Sequence, residues 1–398
     1  LLALFIYQNL CRKNIESKPK AISLKPDIEF MKICHITSVH QPEDIRIFQK
    51  QCLSLNNSGH KVTLVATGAK SRFINGVYFK AFRKRGSALR RLIFTLPSIL
   101  FYLIKNKFDI YHAHDPELVP VLLVLHFLGR KVVYDMHENF PKEIKRKELP
   151  VIVKRAVLVI WPLVEKISFS RINVIFAELS YKKDYPYVAN SVDILNMPLL
   201  NILEKNKKNK KNTVFSIGYV GVVSESRFCL ETLEVLHSLK KKGVTIRFDC
   251  IGPISNQKTH VQIDKYCEIL DEIYFYGQLP AKESWRIISR CHVGLAVLED
   301  DPNYIESLPT KIFEYLAMNI PVITSNFPLY KSLTEDLGVG ICVKPIKNGG
   351  LEEAILEMKN NTALYNDFIM NISKNVEGNF SWDTEFDKLE NFYKAIVR

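Results

Sequence analysis

From Met31 onward, short apolar runs alternate with longer segments whose apolar residues recur every three or four positions. The runs at 32–39, 59–66, 77–82, 108–115, 130–138 and 172–177 read as strands. Segments 45–55, with a Phe48/Cys52/Leu55 stripe, and 116–128 read as helices. A Lys- and Asn-rich stretch at 204–213 then interrupts the pattern and reads as a solvated linker. Beyond it the alternation resumes, with strands at 214–220, 245–251, 273–276, 293–298 and 340–343. Helices fall near 230–241, 261–270, 281–289, 350–376 and 382–397. Repeated strand–helix units imply parallel, doubly wound sheets, with ligands beyond the carboxyl ends of the strands. The expected organisation is a non-core N-terminal segment (1–30), a first Rossmann-like domain (31–200) and a linker (201–213). A second such domain (214–376) and a C-terminal helix (377–398) follow.

The most informative stretch runs from Glu306 to Thr324. Pro309 suits the first turn of a helix, and Ile312, Phe313, Leu316 and Ala317 form its apolar face. Asn319 tolerates the left-handed turn that ends a helix, and Pro321 starts the next strand. Lys311, Glu314 and Tyr315 fall off the apolar face. The helix start favours an anion, most naturally a diphosphate, and a carboxylate on either side can accept from sugar hydroxyls. This places a hexose at Glu306 and a ribose at Glu314.

Composition changes the picture in two ways. Residues 31–200 hold 26 basic and 13 acidic residues, whereas 214–398 hold 19 and 25. The basic half meets something anionic; no stacking-aromatic or helix-turn-helix pattern points to nucleic acid, so a membrane surface or lipid-phosphate acceptor fits better. Basic residues at 83–91 and 142–147 lead into apolar helical runs shorter than a membrane span, as in a peripheral contact. The eight cysteines include no C-x-x-C pair and read as reduced thiols of a cytoplasmic protein.

Three further clusters carry candidate chemistry. Gly218-Tyr-Val-Gly221 ends a strand and leads to Arg227, a glycine-to-phosphate approach with a cation to fork onto it. His112-x-His114-Asp115, with Asp135, His137 and Glu138 nearby, fits a metal-dependent hydrolase. Asp44 and Arg46 either hold an acceptor or cap a helix and pair with each other.

The string E-S-L-P-T-K-I-F-E-Y at 306–315 resembles the E-x7-E segment of retaining family 4 glycosyltransferases of the GT-B fold. Gly218–Arg227 is similar to that family's Y-V-G-G-x-x-x-x-R-G loop, with Val222 and Phe228 replacing two glycines. H-A-H-D-P-E-L at 112–118 and Y-D-M-H-E-N-F-P at 134–141 look like two loops of its first domain. The resemblance implies an α/β chain of two doubly wound Rossmann-like domains facing a cleft, the last helix packing back on the first. It implies transfer of a sugar from a nucleotide-diphosphate sugar to a hydroxyl acceptor with retention, in polysaccharide or glycolipid synthesis. Glu306 and His137 would then contact the donor sugar, Glu314 the ribose, and Gly221, Arg227 and Lys311 the diphosphate. No cofactor or metal is expected, and Glu299-Asp300-Asp301 is a loop. Expected partners are the nucleotide sugar, a glycan or lipid-linked acceptor and an anionic membrane, with the protein cytoplasmic or peripheral on the membrane's inner face. A nucleotide-sugar epimerase on the same fold is the alternative of another class.

Overall fold

The computed structural model describes residues 30–68, 70–83, 85–146, 149–344, 349–376 and 380–398. Of the expected N-terminal segment, residues 1–29 lie outside this set, as do Lys84 and Lys147. The chain forms two compact units. Among the described residues, one comprises residues 30–196 together with Trp382–Arg398, the other Met197–Ser381.

The first unit is built on eight strands: β1 (Lys32–Ile36), β2 (Lys61–Thr67), β3 (Arg72–Ile74), β4 (Val77–Phe82), β5 (Ile110–Ala113), β6 (Val132–Met136), β7 (Asn173–Phe176) and β8 (Asn190–Asp193). They lie in the order β3-β4-β2-β1-β5-β6-β7-β8, parallel except for β3 against β4. Side chains alternate across this sheet, and the two faces differ in chemistry. Cys34, Ile36, Tyr111, Ala113, Val132 and Tyr134 join an apolar core with the helices Leu96–Lys105, Val119–Phe127 and Val151–Phe169. Their neighbours His35, His112 and Asp135 point to the other face, where they meet Arg46 and Tyr393.

That polar face is covered by two segments. Ile45–Cys52 is wound as a π-helix, with Gln49 N–H donating to Asp44 O at 3.2 Å, before the α-helix Leu53–Asn57. The wide turn buries Arg46, Lys50 and Gln51 as well as Phe48, Cys52 and Leu55. The C-terminal helix Trp382–Val397 packs beside it, with Trp382 Nε1 donating to Ser54 Oγ at 2.9 Å and Leu195 N–H to Glu385 at 2.7 Å.

The second unit has six parallel strands: β9 (Ser216–Val220), β10 (Arg247–Ile251), β11 (Ile273–Phe275), β12 (Val293–Ala296), β13 (Val322–Ser325) and β14 (Gly340–Val343). Their order, β11-β10-β9-β12-β13-β14, reverses direction of winding between β9 and β12. Such a switch point opens a crevice at the carboxyl ends of the two strands.

The expected linker exposes Lys205, Lys208 and Lys210 as anticipated, but it is anchored at Asn209 and Lys211. The Lys211 ammonium donates to Ser289 O at 3.2 Å and Cys291 O at 2.6 Å, and Asn209 Nδ2 to Ser289 Oγ at 2.7 Å. These donors satisfy carbonyls just past the helix Ala281–Ile288, so the stretch is built into the second unit. Among the described residues the cysteines are free thiols, and no helix is long and apolar enough to cross a membrane.

Candidate active site

In the second unit, strand β9 delivers the chain to Gly221, whose φ of +141° is disfavoured for a side-chain-bearing residue. A Cβ there would lie 2.7 Å from an Arg227 guanidinium nitrogen, 3.2 Å from Tyr219 Oη and 3.5 Å from Lys311 Nζ. Three polar groups therefore converge on bare backbone. The facing Gly252 is equally constrained, because its Cβ would sit 1.9 Å from Gly221 O. Arg227 ends a single 3₁₀ turn, and Phe228 adopts φ 51°, ψ 36° to enter the helix Cys229–Lys241. A left-handed residue is what this corner requires, and Phe228 adopts it at a cost that glycine would avoid.

The helix Thr310–Ala317 supplies the other side. Pro309 is its N-cap in extended conformation rather than a first-turn residue, and caps nothing with its side chain. Lys311 runs from the first turn to place its ammonium 4.3 Å from the centroid of the Tyr219 ring. That nitrogen is buried without a hydrogen-bond partner. Burial and then the Arg227 charge bring its pKa down to about 7, which Glu314 only partly opposes. Glu314 is half-buried and accepts from Trp285 Nε1 at 3.2 Å, whereas Glu306 is exposed in the turn before the helix.

Tyr315 corrects the helical-face expectation. It is buried rather than off the apolar face, accepts from Val220 N–H at 3.0 Å and donates to Leu295 O at 3.4 Å. Gly294 makes the slot, since a Cβ there would fall 2.3 Å from the tyrosine ring. The helix ends as expected at Asn319 (φ 58°): Asn319 N–H donates to Leu316 O and Ile320 N–H to Tyr315 O, a Schellman closure. Glu299–Asp301 is a loop, tied by Glu299 N–H to Ser226 O at 2.9 Å.

The first unit carries its own polar centre, at the carboxyl ends of β1, β5 and β6. Asp135 is fully buried and accepts from Arg46 Nη2 at 2.7 Å, Arg46 Nε at 3.1 Å and Gln51 Nε2 at 2.7 Å. His137 Nε2 stands 3.0 Å from the same carboxylate and 3.3 Å from His114 Nδ1. Burial pushes the Asp135 carboxyl up, but Arg46 and His137 more than offset it and hold it well below its usual range. Burial also keeps His35 and His112 well below an ordinary imidazole, and His114 at about 3, so these rings are neutral. Asp44 caps the π-helix through Ile47 N–H at 2.9 Å, with a pKa lowered to about 2 by His40 and that bond against the opposing pull of burial.

Both acceptor-side candidates are thus engaged. Arg46 pairs with Asp135 rather than with Asp44, and is buried. The proposed His112/His114/Asp115 metal triad does not assemble. Asp115 accepts from Thr37 Oγ1 at 2.8 Å and Ser38 N–H at 2.5 Å, and holds the 37–40 loop instead. Two other groups bring ligand atoms together: His35/His112/His114 and His114/Asp135/His137. In the first, the His114 ring stacks on His112 at 4.5 Å and 23° and on His35 at 5.2 Å and 14°. In this group His35 Nδ1 and His114 Nε2 hydrogen-bond to each other at 3.0 Å, and His112 Nδ1 pairs with Tyr393 Oη. In the second, the Asp135 carboxylate already faces the Arg46 cation, a poor neighbour for an ion.

The sequence did not flag Trp285, Tyr219 or Gln51 as site residues. Tyr219 lay inside the quoted glycine loop and was the one within reach; Trp285 and Gln51 belong to no motif.

Comparison with known families and structures agrees with this geometry. The model for Glycosyl transferases group 1 matches residues 201–375, and that for Glycosyltransferase Family 4 matches residues 49–177. No curated protein sequence matches the chain. Similar solved structures include a sucrose-phosphate synthase from Thermosynechococcus elongatus (15% identity, TM-score 0.70, 92% of this chain and 98% of that one). A glycosyltransferase from Rickettsia africae matches at 14% identity and TM-score 0.69 over 93% and 100% of the two chains. HepE from Anabaena, solved with UDP and glucose, matches at 14% identity and TM-score 0.68 over 92% and 100%. With one glycosyltransferase family model on each unit and the fold of the whole chain shared with solved GT-B enzymes, the chain belongs to the family 4-type glycosyltransferases of the GT-B fold.

Proposed function

We propose that this glycosyltransferase moves a hexose from a nucleotide-diphosphate sugar, UDP being the first nucleotide to test, to a hydroxyl acceptor with retention. The observation that carries the reading is the buried, unpartnered Lys311 ammonium converging with Arg227 on Gly221. A diphosphate supplies the anion that both cations lack. The choice of UDP draws support from HepE, solved with UDP-glucose, and retention from trehalose-6-phosphate synthase, whose structures address glycosyl transfer with retention.

Arg227 and Lys311 stabilise charge growing on the leaving diphosphate, an electrostatic task for which fixed cations cost no reorganisation. Glu314, steadied by Trp285, accepts from the ribose hydroxyls; Glu306 and His137 are assigned to the hexose. No residue is assigned as a nucleophile, and the leaving phosphate assists attack on the same face. No metal or other cofactor takes part. The acceptor is a glycan or lipid-linked alcohol used in cell-surface polysaccharide or glycolipid synthesis, in the cytoplasm or at the inner face of the membrane.

A thermal-shift panel of UDP, GDP, ADP and CDP tests the nucleotide, since a ligand of the native state alone raises stability. The matching nucleotide sugar is then incubated with candidate acceptors, and the anomeric configuration of the product read by NMR. Binding of no nucleoside diphosphate would overturn the reading, an inverted product would overturn retention, and an epimerised sugar without acceptor would favour an epimerase.

A further inference from the structure

The first unit turns a broad apolar surface to solvent. Of the 25 large apolar side chains exposed among the described residues, 16 lie on or directly beside the helical segments 88–105, 119–127 and 151–169. These pack against the same side of the sheet, each burying one face in the common core. Their outer faces carry Phe101 (60% exposed), Phe127 (68%), Ile152 (83%) and Leu163 (60%), with Leu92 and Ile160 among their neighbours. So many exposed apolar side chains concentrated on three adjacent helices mark an interaction surface rather than ordinary surface.

The charge on this face selects the partner. Segments 88–105 and 119–127 contain no acidic residue, and the one carboxylate of Val151–Phe169, Glu165, is turned inward to Tyr185 Oη. Arg90, Lys105, Arg155 and Lys166 are exposed on these segments. Cations are interleaved with the aromatic groups: Lys105 Nζ lies 4.2 Å from the Phe101 ring centroid and Arg85 5.1 Å from that of Phe94. No described helix is long and apolar enough to span a bilayer, so the surface suits seating rather than crossing.

We infer that this three-helix face docks on an anionic lipid bilayer, its apolar side chains entering the headgroup boundary and its cations pairing with acidic headgroups. The inference rests on the glycosyl-transfer reading for its purpose, delivery of a lipid-linked acceptor, while docking itself stands on the surface alone.

The test is co-sedimentation of the full chain with phosphatidylcholine vesicles and with equimolar phosphatidylcholine–phosphatidylglycerol vesicles. Binding is expected to the anionic vesicles only, and to weaken with salt as the Debye length falls from about 10 Å at 0.1 M to about 3 Å at 1 M. The variant Phe101→Ser/Phe127→Ser/Ile160→Ser/Leu163→Ser should lower the bound fraction by about tenfold or more, since each side chain leaves the bilayer. The variant Arg90→Gln/Lys105→Gln/Arg155→Gln/Lys166→Gln should bind less and lose most of the salt dependence. Thermal melting checks that each variant folds, and UDP calorimetry, expected to be unchanged, separates failure of docking from failure of the donor site. Absent or equal binding to both vesicle types overturns the inference. So does concentration-dependent self-association that the serine variant abolishes, which would make a second copy the occupant.

Discussion

Lys311 stands with its ammonium over the Tyr219 ring, 4.3 Å from its centroid, and with no hydrogen-bond acceptor within reach. A cation held this way destabilises the empty protein and is relieved by an anion. Its pKa of about 7 lies far below the ordinary 10.5, so between those values the unfolded chain binds more protons than the folded one. Stability attributable to this group therefore rises with pH across roughly 7 to 10.5.

The ligand acts with the opposite sign. A diphosphate favours the protonated amine, so UDP affinity should fall as pH rises above about 7. Lys311→Met should remove this pH dependence, weaken UDP binding and raise the melting temperature. Each kcal/mol gained corresponds to about 2–4 °C for a unit of this size. Calorimetry across pH and a melting curve check all three; a methionine variant that binds UDP as tightly as wild type would remove Lys311 from the site.

Glu314 is expected to read the ribose. Glu314→Ala should cost on the order of 1.5–3 kcal/mol of UDP affinity, the worth of a hydrogen bond to a charged acceptor. Wild type should prefer UDP over its 2′,3′-dideoxy analogue, and the alanine variant should no longer discriminate. Trp285→Phe, which removes only the donor to Glu314 Oε2, should cost less, about 0.5–1.5 kcal/mol. Retained discrimination in Glu314→Ala would refute the ribose assignment.

Chelation separates the imidazole cluster from metal chemistry. Turnover should persist in excess EDTA, because His35 and His114 hydrogen-bond to each other, His112 pairs with Tyr393 and Asp135 is occupied by Arg46. Loss of activity restored by added zinc or manganese would return the cluster to the status of a metal site.

Much of this architecture is legible in local pattern. Strand periodicity marked most of the parallel strands, and Asn319 announced a left-handed turn that the backbone adopts at φ 58°. The short edge strands β3 and β8 escaped, being three and four residues long with little apolar signal. What the pattern could not show depends on partners remote in sequence. Tyr315 is buried because Gly294, on another strand, leaves room for its ring. Arg46 reads as an acceptor ligand or a partner of Asp44 until the π-turn swings it inward to Asp135, 89 positions away. Phe228 stands where the resembled loop has glycine, yet its left-handed φ preserves the corner that glycine would make.

The Arg46–Asp135 pair yields the last expectation, because it ties the stability of the first unit to the posture of His137. Both partners are buried, and two parallel bonds of 2.7 and 3.1 Å join them. Removing either one strands a charge in the interior. Arg46→Met and Asp135→Leu should therefore each cost about 3–5 kcal/mol, while the double variant should cost less than their sum, since neither charge then remains unpaired. His137→Ala leaves the Arg46–Asp135 pair in place but removes one hydrogen bond to Asp135, so it should lower kcat/KM by about tenfold to a hundredfold at a smaller cost in stability than either charge deletion. Asp135→Asn should disturb both, because its side chain also fixes His137 Nε2 at 3.0 Å. Urea unfolding and steady-state kinetics on these variants distinguish the roles. Strict additivity of the two single changes would show that the pair is not a unit, and unaltered kinetics in His137→Ala would leave the Asp135 centre a purely structural polar core.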